Sequence, residues 1–207
     1  MITEIGKHRV QHANIMGGID ALMAGDMADF VYSDPPWGQG NLRYWQTMNK
    51  KMTGAERQEI DYSEFIEKLF SIIARYARDR VVIEYGVRWK DDIQAIAARY
   101  GFSGPVHRGI YDSKNLPLDF HFLSKSGQFT PTTNVIDKLK IQKGLKIVET
   151  IFDDCCPIDS KIVLDPMCGM GYTAQAAVNR GMAFRGNELN SKRLGKTIAR
   201  LEKDKSR

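Results

Sequence analysis

The segment Val163–Gly171, with the sequence VLDPMCGMG, joins an apolar run to two closely spaced glycines. Glycines allow a sharp turn between a buried strand and a helix, and they let the backbone come close to a ligand. Helical spacing follows at Thr173–Asn179. A strand, a glycine loop and a helix in this order are typical of an open α/β sheet, in which ligands bind at the carboxyl ends of the strands. A paired glycine after a strand is also common in plain tight turns.

Two acids flank this glycine loop. Asp165 ends the predicted strand Lys161–Leu164, and Glu188 follows the next predicted strand, Ala183–Asn187. An acid at the second position can accept both hydrogen bonds of a ribose diol. The sequence contains neither the GxxxxGK[ST] nor the full GxGxxG pattern, which argues against a triphosphate or a dinucleotide. We therefore predict a nucleoside ligand without a chain of phosphates.

A second segment whose side chains could take part in chemistry is Asp34-Pro35-Pro36-Trp37, directly after the apolar run Ala28–Ser33. The prolines end the predicted strand. The segment offers a carboxylate, a backbone carbonyl and a flat ring, which together could accept the hydrogens of an exocyclic amine while the nucleobase stacks on Trp37. Asp-Pro-Pro by itself is as often an ordinary turn. Beside the glycine loop and its acids, it predicts a nucleobase site.

The remaining sequence alternates between apolar runs and helical spacing, as expected for one α/β domain over residues 1–207. Further strands are predicted at Val10–Ile15, Arg80–Tyr85, Pro105–Tyr111 and Asp119–Ser124, the last two as an antiparallel edge pair. Further helices are predicted from Tyr62, around Ile93–Tyr100, at Leu145–Phe152 and in the C-terminal tail. Gly38–Met52 is predicted to be a loop, and Thr53 with Glu56 a capping box that begins a short helix.

Composition limits the class of protein. The chain has 207 residues, 43% of them hydrophobic, and a net charge of +5. It has no apolar run of the roughly 20 residues that cross a bilayer and no signal-peptide pattern, so we expect a soluble, cytoplasmic protein. Three cysteines without CxxC spacing indicate neither a disulfide framework nor a metal site. Basic residues cluster at 138–146 and 192–207, which favours a polyanionic partner, although such clusters can also be solvated helix faces.

Taken together, these motifs resemble the S-adenosylmethionine-dependent amino-methyltransferases of nucleic acids, in particular the DNA adenine-N6 and cytosine-N4 group with its [DSN]-P-P-[YFW] motif. DPPW precedes the glycine loop, which is the motif order of the beta class. The resemblance covers most of the chain from Ala28 and is nearly continuous over 142–194. Gly144 departs from the proline that usually follows the family lysine, here Lys143. Met167 and Met170 depart from the commoner DPFxGSG loop.

The resemblance implies a Rossmann-like seven-stranded sheet, mostly parallel with an antiparallel edge strand. Members of the beta class usually carry a target-recognition region between the two motifs, but here predicted core helices and strands already occupy most of the interval from Gly38 to Gln142, so we expect no large target-recognition insertion. The resemblance also implies S-adenosylmethionine as the cofactor and, as in many members, a homodimer. The catalytic residues that it implies are Asp34, Pro35, Pro36 and Trp37. The cofactor-binding residues that it implies are Asn14, Asp34, Lys143, Asp165, Pro166, Met167, Cys168, Gly169, Gly171, Thr173, Glu188 and Asn190.

The substrate is the least determined part of the prediction. Only Gly38–Met52 and Asp112–Leu118 are predicted to be free loops that could read a sequence. Interleaved charges and rings suggest nucleic-acid contacts, although they also suit an ordinary mobile loop. These contacts would be Arg43, Tyr44, Trp45, Lys50 and Lys51. His107 and His121 are interpreted as surface or packing residues rather than ligands.

In the family, Asp as the first letter of the motif accompanies adenine more often than cytosine, for which Ser is commoner. We therefore predict a DNA adenine-N6 methyltransferase that acts on a flipped-out adenine. The alternatives are an RNA methyltransferase acting on adenine-N6 or guanine-N2, a DNA cytosine-N4 methyltransferase, and a small-molecule amine methyltransferase. An alternative of a different class is a non-catalytic subunit that binds the cofactor and presents nucleic acid to a partner.

Overall fold

One mixed sheet with helices on both faces organises the computed structural model, which describes residues 1–56, 58–111 and 116–203. The strands are β1 (Ile2–Ile5), β2 (His8–His12), β3 (Ala28–Ser33), β4 (Ala77–Gly86), β5 (Val106–Tyr111), β6 (Leu116–Leu123), β7 (Ile162–Asp165) and β8 (Ala183–Glu188). The helices are α1 (Asp20–Met23), α2 (Gly38–Thr53), α3 (Tyr62–Tyr76), α4 (Lys90–Arg99), α5 (Thr133–Leu139), α6 (Leu145–Cys155), α7 (Tyr172–Asn179) and α8 (Ser191–Glu202).

The strand order is β1-β2-β8-β7-β3-β4-β6-β5. The five strands from β2 to β4 in this order are parallel, whereas β1, β6 and β5 each pair antiparallel with a neighbour. The predicted α/β sheet, mostly parallel with an antiparallel edge, is confirmed. It has eight strands rather than seven because β1 adds an antiparallel strand at the other edge. Only Ile5 of β1 is buried, so this strand has almost no apolar pattern in the sequence.

Two hydrophobic cores cover the two faces of the sheet. One packs α1, α3 and α4 against the sheet, and the other packs α5, α6, α7 and α8. α3 buries one apolar stripe, as its spacing predicts. Asp61 caps its N-terminus, and the Asp61 carboxylate accepts hydrogen bonds from the amides of Ser63 and Glu64. Within the described ranges, no helix has both the length and the apolar character needed to cross a membrane.

The prediction of a loop at Gly38–Met52 is wrong, because these residues form α2. The helix ends at Gly54, which adopts the left-handed conformation with φ 76°. Thr53 is its last residue and donates a hydrogen bond to the Asn49 carbonyl at 2.8 Å, so the predicted capping box does not form. Of the other predicted loop, Asp112–Leu118, residues 112–115 lie outside the described ranges, and the rest belongs to β6.

The order of the strands creates a crevice. From β3 the chain continues through α2 to α3 on one face of the sheet, whereas from β7 it continues to α7 on the other face. β3 and β7 are neighbours, so the chain leaves them in opposite directions at their carboxyl ends. Such a switch point is where open α/β sheets bind ligands. α2 crosses above it and contacts both α3 and α8.

Candidate active site

A cavity of about 720 Å³ opens at this switch point. Its volume lies within the roughly 300–1,000 Å³ that small-molecule sites occupy. The predicted site residues that line it are Asp34, Pro35, Pro36, Trp37, Trp45, Lys143, Asp165, Met167, Cys168, Gly169, Thr173, Glu188 and Asn190. The fold thus brings together two motifs that are far apart in the sequence.

Other predicted residues lie outside the lining of this cavity. Asn14 caps a short 3₁₀ turn, where its side chain accepts a hydrogen bond from the Met16 amide and donates one to Gln58. The Pro166 carbonyl accepts a hydrogen bond from the Asn187 side-chain amide at 3.2 Å. The remaining ones are Gly171, which precedes α7, and the exposed residues of α2, namely Arg43, Tyr44, Lys50 and Lys51.

Glu188 is fixed at the end of β8 by two backbone amides. Its Oε2 accepts a hydrogen bond from Gly169 N at 2.9 Å, and its Oε1 accepts one from Asn190 N at 2.8 Å. Asn190 in turn caps α8, its side chain accepting from the Arg193 amide at 3.0 Å. Each carboxylate oxygen has a second lone pair. The carboxylate is therefore already oriented to accept two further hydrogen bonds, as a ribose diol would donate.

Asp165 ties the glycine loop to the end of β7. Its Oδ1 accepts a hydrogen bond from Met167 N at 3.0 Å, and its Oδ2 accepts one from the Thr173 hydroxyl at 2.7 Å. Burial raises the pKa of Asp165 to about 7, while these two hydrogen bonds act in the opposite direction. The acid therefore shapes the loop and also adds a titratable group to the cavity wall.

The paired glycines have a packing role that the sequence did not reveal. Gly169 and Gly171 have φ of 50° and 79°. A Cβ on Gly169 would lie 2.6 Å from the Arg193 side chain, and one on Gly171 would lie 2.7 Å from the Thr197 hydroxyl. The glycines therefore allow α8 to pack against the loop, in addition to the sharp turn that the sequence predicts.

The backbone conformation explains why Gly144 stands where related sequences usually have proline. Gly144 adopts a φ of 54°, whereas the proline ring holds φ near −65°. A proline at this position could not follow the same path into α6. Lys143 nevertheless lines the cavity, as the resemblance implies.

The Asp34 motif forms the other wall of the cavity. The Trp37 ring packs edge-on against Tyr111, with centroids 5.2 Å apart, and the Tyr85 hydroxyl donates to the Pro36 carbonyl at 3.0 Å. The Asp34 carboxylate is reachable from the cavity but is enclosed by protein walls. This desolvation raises the pKa of Asp34, against the opposing effects of a hydrogen bond from Trp37 and the charge of Arg193. Arg193 also stacks on the Trp45 ring at 4.5 Å.

Sequence reasoning did not identify Glu84 as a site residue. It lies near the end of β4, lines the cavity and is 8% exposed. The Tyr32 hydroxyl donates a hydrogen bond to it. Burial and the neighbouring Asp34 raise the pKa of Glu84 well above its usual range. Its only trace in the sequence is a single acid in the otherwise apolar run that ends β4.

Gln46 is a second residue that the sequence did not single out. It lies on α2, lines the cavity and is 6% exposed. Neither its Nε2 nor its Oε1 has a hydrogen-bond partner among the described residues. Buried polar atoms without partners are rare and cost about 1–3 kcal/mol. A buried, unpartnered amide in the wall of a cavity fits a site that binds a polar ligand.

A second, more open cavity of about 680 Å³ lies beside the first and shares Trp37 and Asn41 with it. Its other ring-bearing residues are Tyr44, Tyr62 and Trp89. The Trp89 ring lies over two glycines, since a Cβ on Gly38 or Gly86 would approach it to 2.4 or 2.8 Å. These glycines are therefore required for the rings to assemble beside the Asp34 motif.

His107 and His121 both pack within the protein, in agreement with their interpretation. His121 is fully buried and its Nδ1 hydrogen-bonds the Gln94 side chain at 2.9 Å. The His107 ring packs edge-on against Phe122. Neither lines the main cavity.

No family model matches the sequence, and no curated protein matches it. Solved structures do match. M1.HpyAVI in complex with SAM superposes with a TM-score of 0.66 at 16% identity, over 93% of this chain and 98% of that chain.

TTHA0409 from Thermus thermophilus, a proposed DNA modification methylase complexed with S-adenosyl-L-methionine, matches with a TM-score of 0.62 at 17% identity, over 95% of this chain and 94% of that chain. The cytosine-N4-specific PvuII DNA methyltransferase matches with a TM-score of 0.66 at 10% identity, over 95% of this chain and 89% of that chain. Matches at such low identity establish architecture rather than activity, and the architecture of this chain is the fold of DNA methyltransferases.

Proposed function

We propose that this protein transfers a methyl group from S-adenosylmethionine to the N6 amine of a flipped-out adenine in DNA. The observation that carries the proposal is the meeting of two different acceptor sets in one cavity. The Glu188 carboxylate is oriented for a ribose diol, and Asp34 with its prolines and Trp37 suits a nucleobase amine. Two of the structural matches contain S-adenosylmethionine, which supports this choice of cofactor.

The residues of the cavity fit such a cofactor. Glu188 would hold the ribose, and the unpartnered amide of Gln46 can both donate to and accept from a polar group. The carboxyl groups of Asp34, Asp165 and Glu188 line the cavity, and their negative charge would favour a cationic ligand. S-adenosylmethionine, when bound, supplies a methyl group on a positively charged sulfur.

The chain's own residues would act on the target amine. Its lone pair is delocalised into the ring, so the amine is a poor nucleophile. Hydrogen bonds accepted by the Asp34 carboxylate and the Pro35 carbonyl would localise the pair on the nitrogen. Trp37 offers a stacking surface that offsets part of the few kcal/mol needed to unstack the base. Correct positioning of reactants can lower a barrier by about 7–11 kcal/mol.

Asp34 is also placed to receive a proton. The nitrogen becomes cationic and acidic when it gains the methyl group, so a modest base suffices to deprotonate it. Burial raises the pKa of Asp34 toward neutrality, which brings it closer to the range in which general bases work well. Asp34 would therefore orient the amine first and accept its proton afterwards.

Adenine is favoured because Asp rather than Ser begins the motif, as the resemblance implies. Cytosine-N4 is the second candidate, since the PvuII enzyme acts on that position and has the same fold. Core helices and strands occupy most of the described chain between the two motifs, and α2 takes up one of the two expected loops. We therefore expect a short or permissive DNA recognition site, read by a single domain without a large insertion.

The first prediction tests the proposed reaction directly. S-adenosylmethionine with a labelled methyl group is incubated with duplex DNA, single-stranded DNA and RNA in parallel, and the products are digested to nucleosides. We expect N6-methyladenine in DNA. Asp34→Ala should lower the rate by about 10²–10⁴-fold, as loss of an acid–base group does. Asp159→Ala, which removes an exposed acid just before the amino end of β7, is the matched control and should retain the activity of the wild type.

The other outcomes are equally informative. N4-methylcytosine would establish the second candidate, and label in RNA alone would replace DNA as the substrate. Tight binding of S-adenosylmethionine without any methyl transfer would contradict the proposal that the protein is an enzyme, and it would support a non-catalytic partner subunit.

A further inference from the structure

Glu84 and Asp34 lie at the carboxyl ends of two neighbouring parallel strands, β4 and β3. Ser33 of β3 pairs with Ile83 of β4, which places the two acids at adjacent positions just beyond that pair. Side chains alternate along a strand, so Tyr32 and Asp34 project to the same face of the sheet. Glu84 shares this face, because the Tyr32 hydroxyl donates to its carboxyl group.

Glu84 lies on the side of Asp34 away from the glycine loop. In the strand order β8-β7-β3-β4, Glu188 ends β8, the glycine loop follows β7, and Asp34 follows β3. Glu84 is on β4 and therefore lies beyond Asp34 as seen from the ribose acceptor. If the nucleoside of the cofactor occupies the β7–β8 side, Glu84 faces the part of the cavity left for the target base.

The two acids differ in how well the structure stabilises a negative charge. Asp34 is reachable from the cavity and is assisted by Trp37 and Arg193. Glu84 is almost fully buried, and the hydrogen bond that the Tyr32 hydroxyl donates to it offsets only part of the cost of a buried negative charge. Neighbouring carboxyl groups in one cavity cannot both ionise readily, so the buried one, Glu84, retains its proton. The other charged groups of the cavity are Lys143, Asp165, Glu188 and Arg193.

We propose that Glu84, held by the Tyr32 hydroxyl, donates a hydrogen bond to the ring nitrogen beside the target amine and so fixes the base against Asp34. A neutral carboxyl group has one O–H donor, which a carboxylate lacks. In adenine the N6 amine is adjacent to the acceptor N1. Asp34 as acceptor and Glu84 as donor thus match this edge of the base. The inference rests on the proposed function and adds a residue that selects and positions the substrate.

The test combines three proteins with three substrates. The proteins are the wild type, Glu84→Ala and Glu84→Gln, whose amide is neutral at every pH and keeps both a donor and an acceptor. The substrates are one oligonucleotide with adenine, 1-deazaadenine or 7-deazaadenine at the methylated position. The 1-deaza base keeps the amine but replaces N1 with carbon, and the 7-deaza base is the control. The readouts are kcat and KM for the oligonucleotide and Kd for S-adenosylmethionine.

We expect Glu84→Ala to lower kcat/KM on adenine about 10-fold to 100-fold, a typical loss for one buried hydrogen bond. The wild type should lose a similar factor on 1-deazaadenine and little on 7-deazaadenine. Glu84→Ala should no longer distinguish 1-deazaadenine from adenine, and its Kd for S-adenosylmethionine should remain unchanged. Glu84→Gln should retain activity within about fivefold of the wild type. It should also lose the decline in kcat/KM at alkaline pH that ionisation of Glu84 gives the wild type.

Three results would overturn the inference. The first is a Glu84→Ala protein that still discriminates against 1-deazaadenine as strongly as the wild type. The second is a Glu84→Ala protein with unchanged kcat/KM. The third is a folded Glu84→Gln protein as inactive as Glu84→Ala, which would mean that the ionised carboxylate is required. If Glu84→Ala does not fold, Glu84→Gln and the two deaza substrates still test whether Glu84 donates a hydrogen bond to N1. Absence of transfer by the wild type would contradict the proposed function itself.

Discussion

Gln46 places a stability cost inside the cavity of the free protein. Its side-chain amide is buried without hydrogen-bond partners among the described residues. Gln46→Leu keeps a similar volume and removes both polar atoms. We expect the free energy of unfolding of the free protein to rise by about 1–3 kcal/mol, which corresponds to about 2–4 °C in Tm per kcal/mol. The same substitution should weaken S-adenosylmethionine binding at least severalfold.

Thermal unfolding without ligand and calorimetric titration with S-adenosylmethionine would measure the two effects. Gln94→Leu is the matched control, because Gln94 is hydrogen-bonded to His121 and its loss should lower Tm. A Gln46→Leu protein with lower Tm and unchanged affinity would contradict this account of the residue.

Some residues of the site can be recognised from the sequence and others cannot. Asp34, Asp165 and Glu188 could be predicted because each belongs to a spaced pattern at the end of a predicted strand. Glu84 and Gln46 could not, because each is one polar residue without a recognisable partner in the sequence. Only the strand register and the path of α2 reveal that they face the same cavity.

α2 illustrates the corresponding limit for an element. Its most buried side chains, Leu42, Gln46 and Asn49, are spaced at helical intervals. Two of the three are polar because the stripe lines the main cavity rather than a hydrophobic core. Apolar periodicity therefore does not indicate this helix, and Gly38 and Gly40 further suggest a loop. By contrast, α3 has an apolar stripe and could be predicted from its first residue.

The outer face of α2 yields a prediction about DNA binding. Lys50 and Lys51 are exposed near the end of the helix, beside the edge of the sheet where the cavity opens. If they contact phosphates, the double variant Lys50→Gln/Lys51→Gln should reduce the slope of log K against log[salt] by about 1.8, at about 0.9 per contact. Binding of S-adenosylmethionine should remain unchanged.

Titration of a labelled duplex at several salt concentrations would measure this slope. Lys161→Gln provides the control, since Lys161 is exposed just before the amino end of β7, at the opposite edge of the sheet. Equal slopes for the wild type and the double variant would show that these lysines do not contact the phosphates of DNA.

Across the whole molecule, the alternation of apolar runs and helical spacing was sufficient to predict an open α/β sheet with its cavity at the carboxyl ends of the strands. The sequence could not predict the eighth strand, β1, because a short edge strand buries too little to have a pattern. It also could not distinguish the two faces of the sheet. Which crossover lies on which face emerges only from the assembled order of strands.

The concentration of buried acids at one edge makes the stability of the free protein depend on pH. Burial raises the pKa of Asp165 to about 7 and that of Glu84 well above its usual range. Between their ordinary pKa values and these raised values, the folded protein holds protons that the unfolded chain has released. The free energy of unfolding therefore falls as pH rises. Buried His121, whose pKa is lowered to about 4, has the opposite effect, but only below about pH 6.5.

We therefore expect Tm of the ligand-free protein to fall by a few degrees between pH 6.5 and 8.5. Glu84→Gln should show a shallower decline, because it removes one of the raised groups. Asp159→Asn, at an exposed position, should retain the slope of the wild type. Calorimetric scans at half-unit pH intervals would measure these slopes, and a Tm that is constant or rises over this interval would contradict the assignment of raised pKa values.

The rings around the two cavities also have an optical consequence. The chain contains three tryptophans, and all of them border these cavities: Trp37 lines both, Trp45 lines the main cavity, and Trp89 lines the second. No indole lies in the distant parts of either core. Tryptophan emission from the unmodified protein therefore comes from chromophores at the site alone, and the protein carries a built-in, label-free reporter of what enters it.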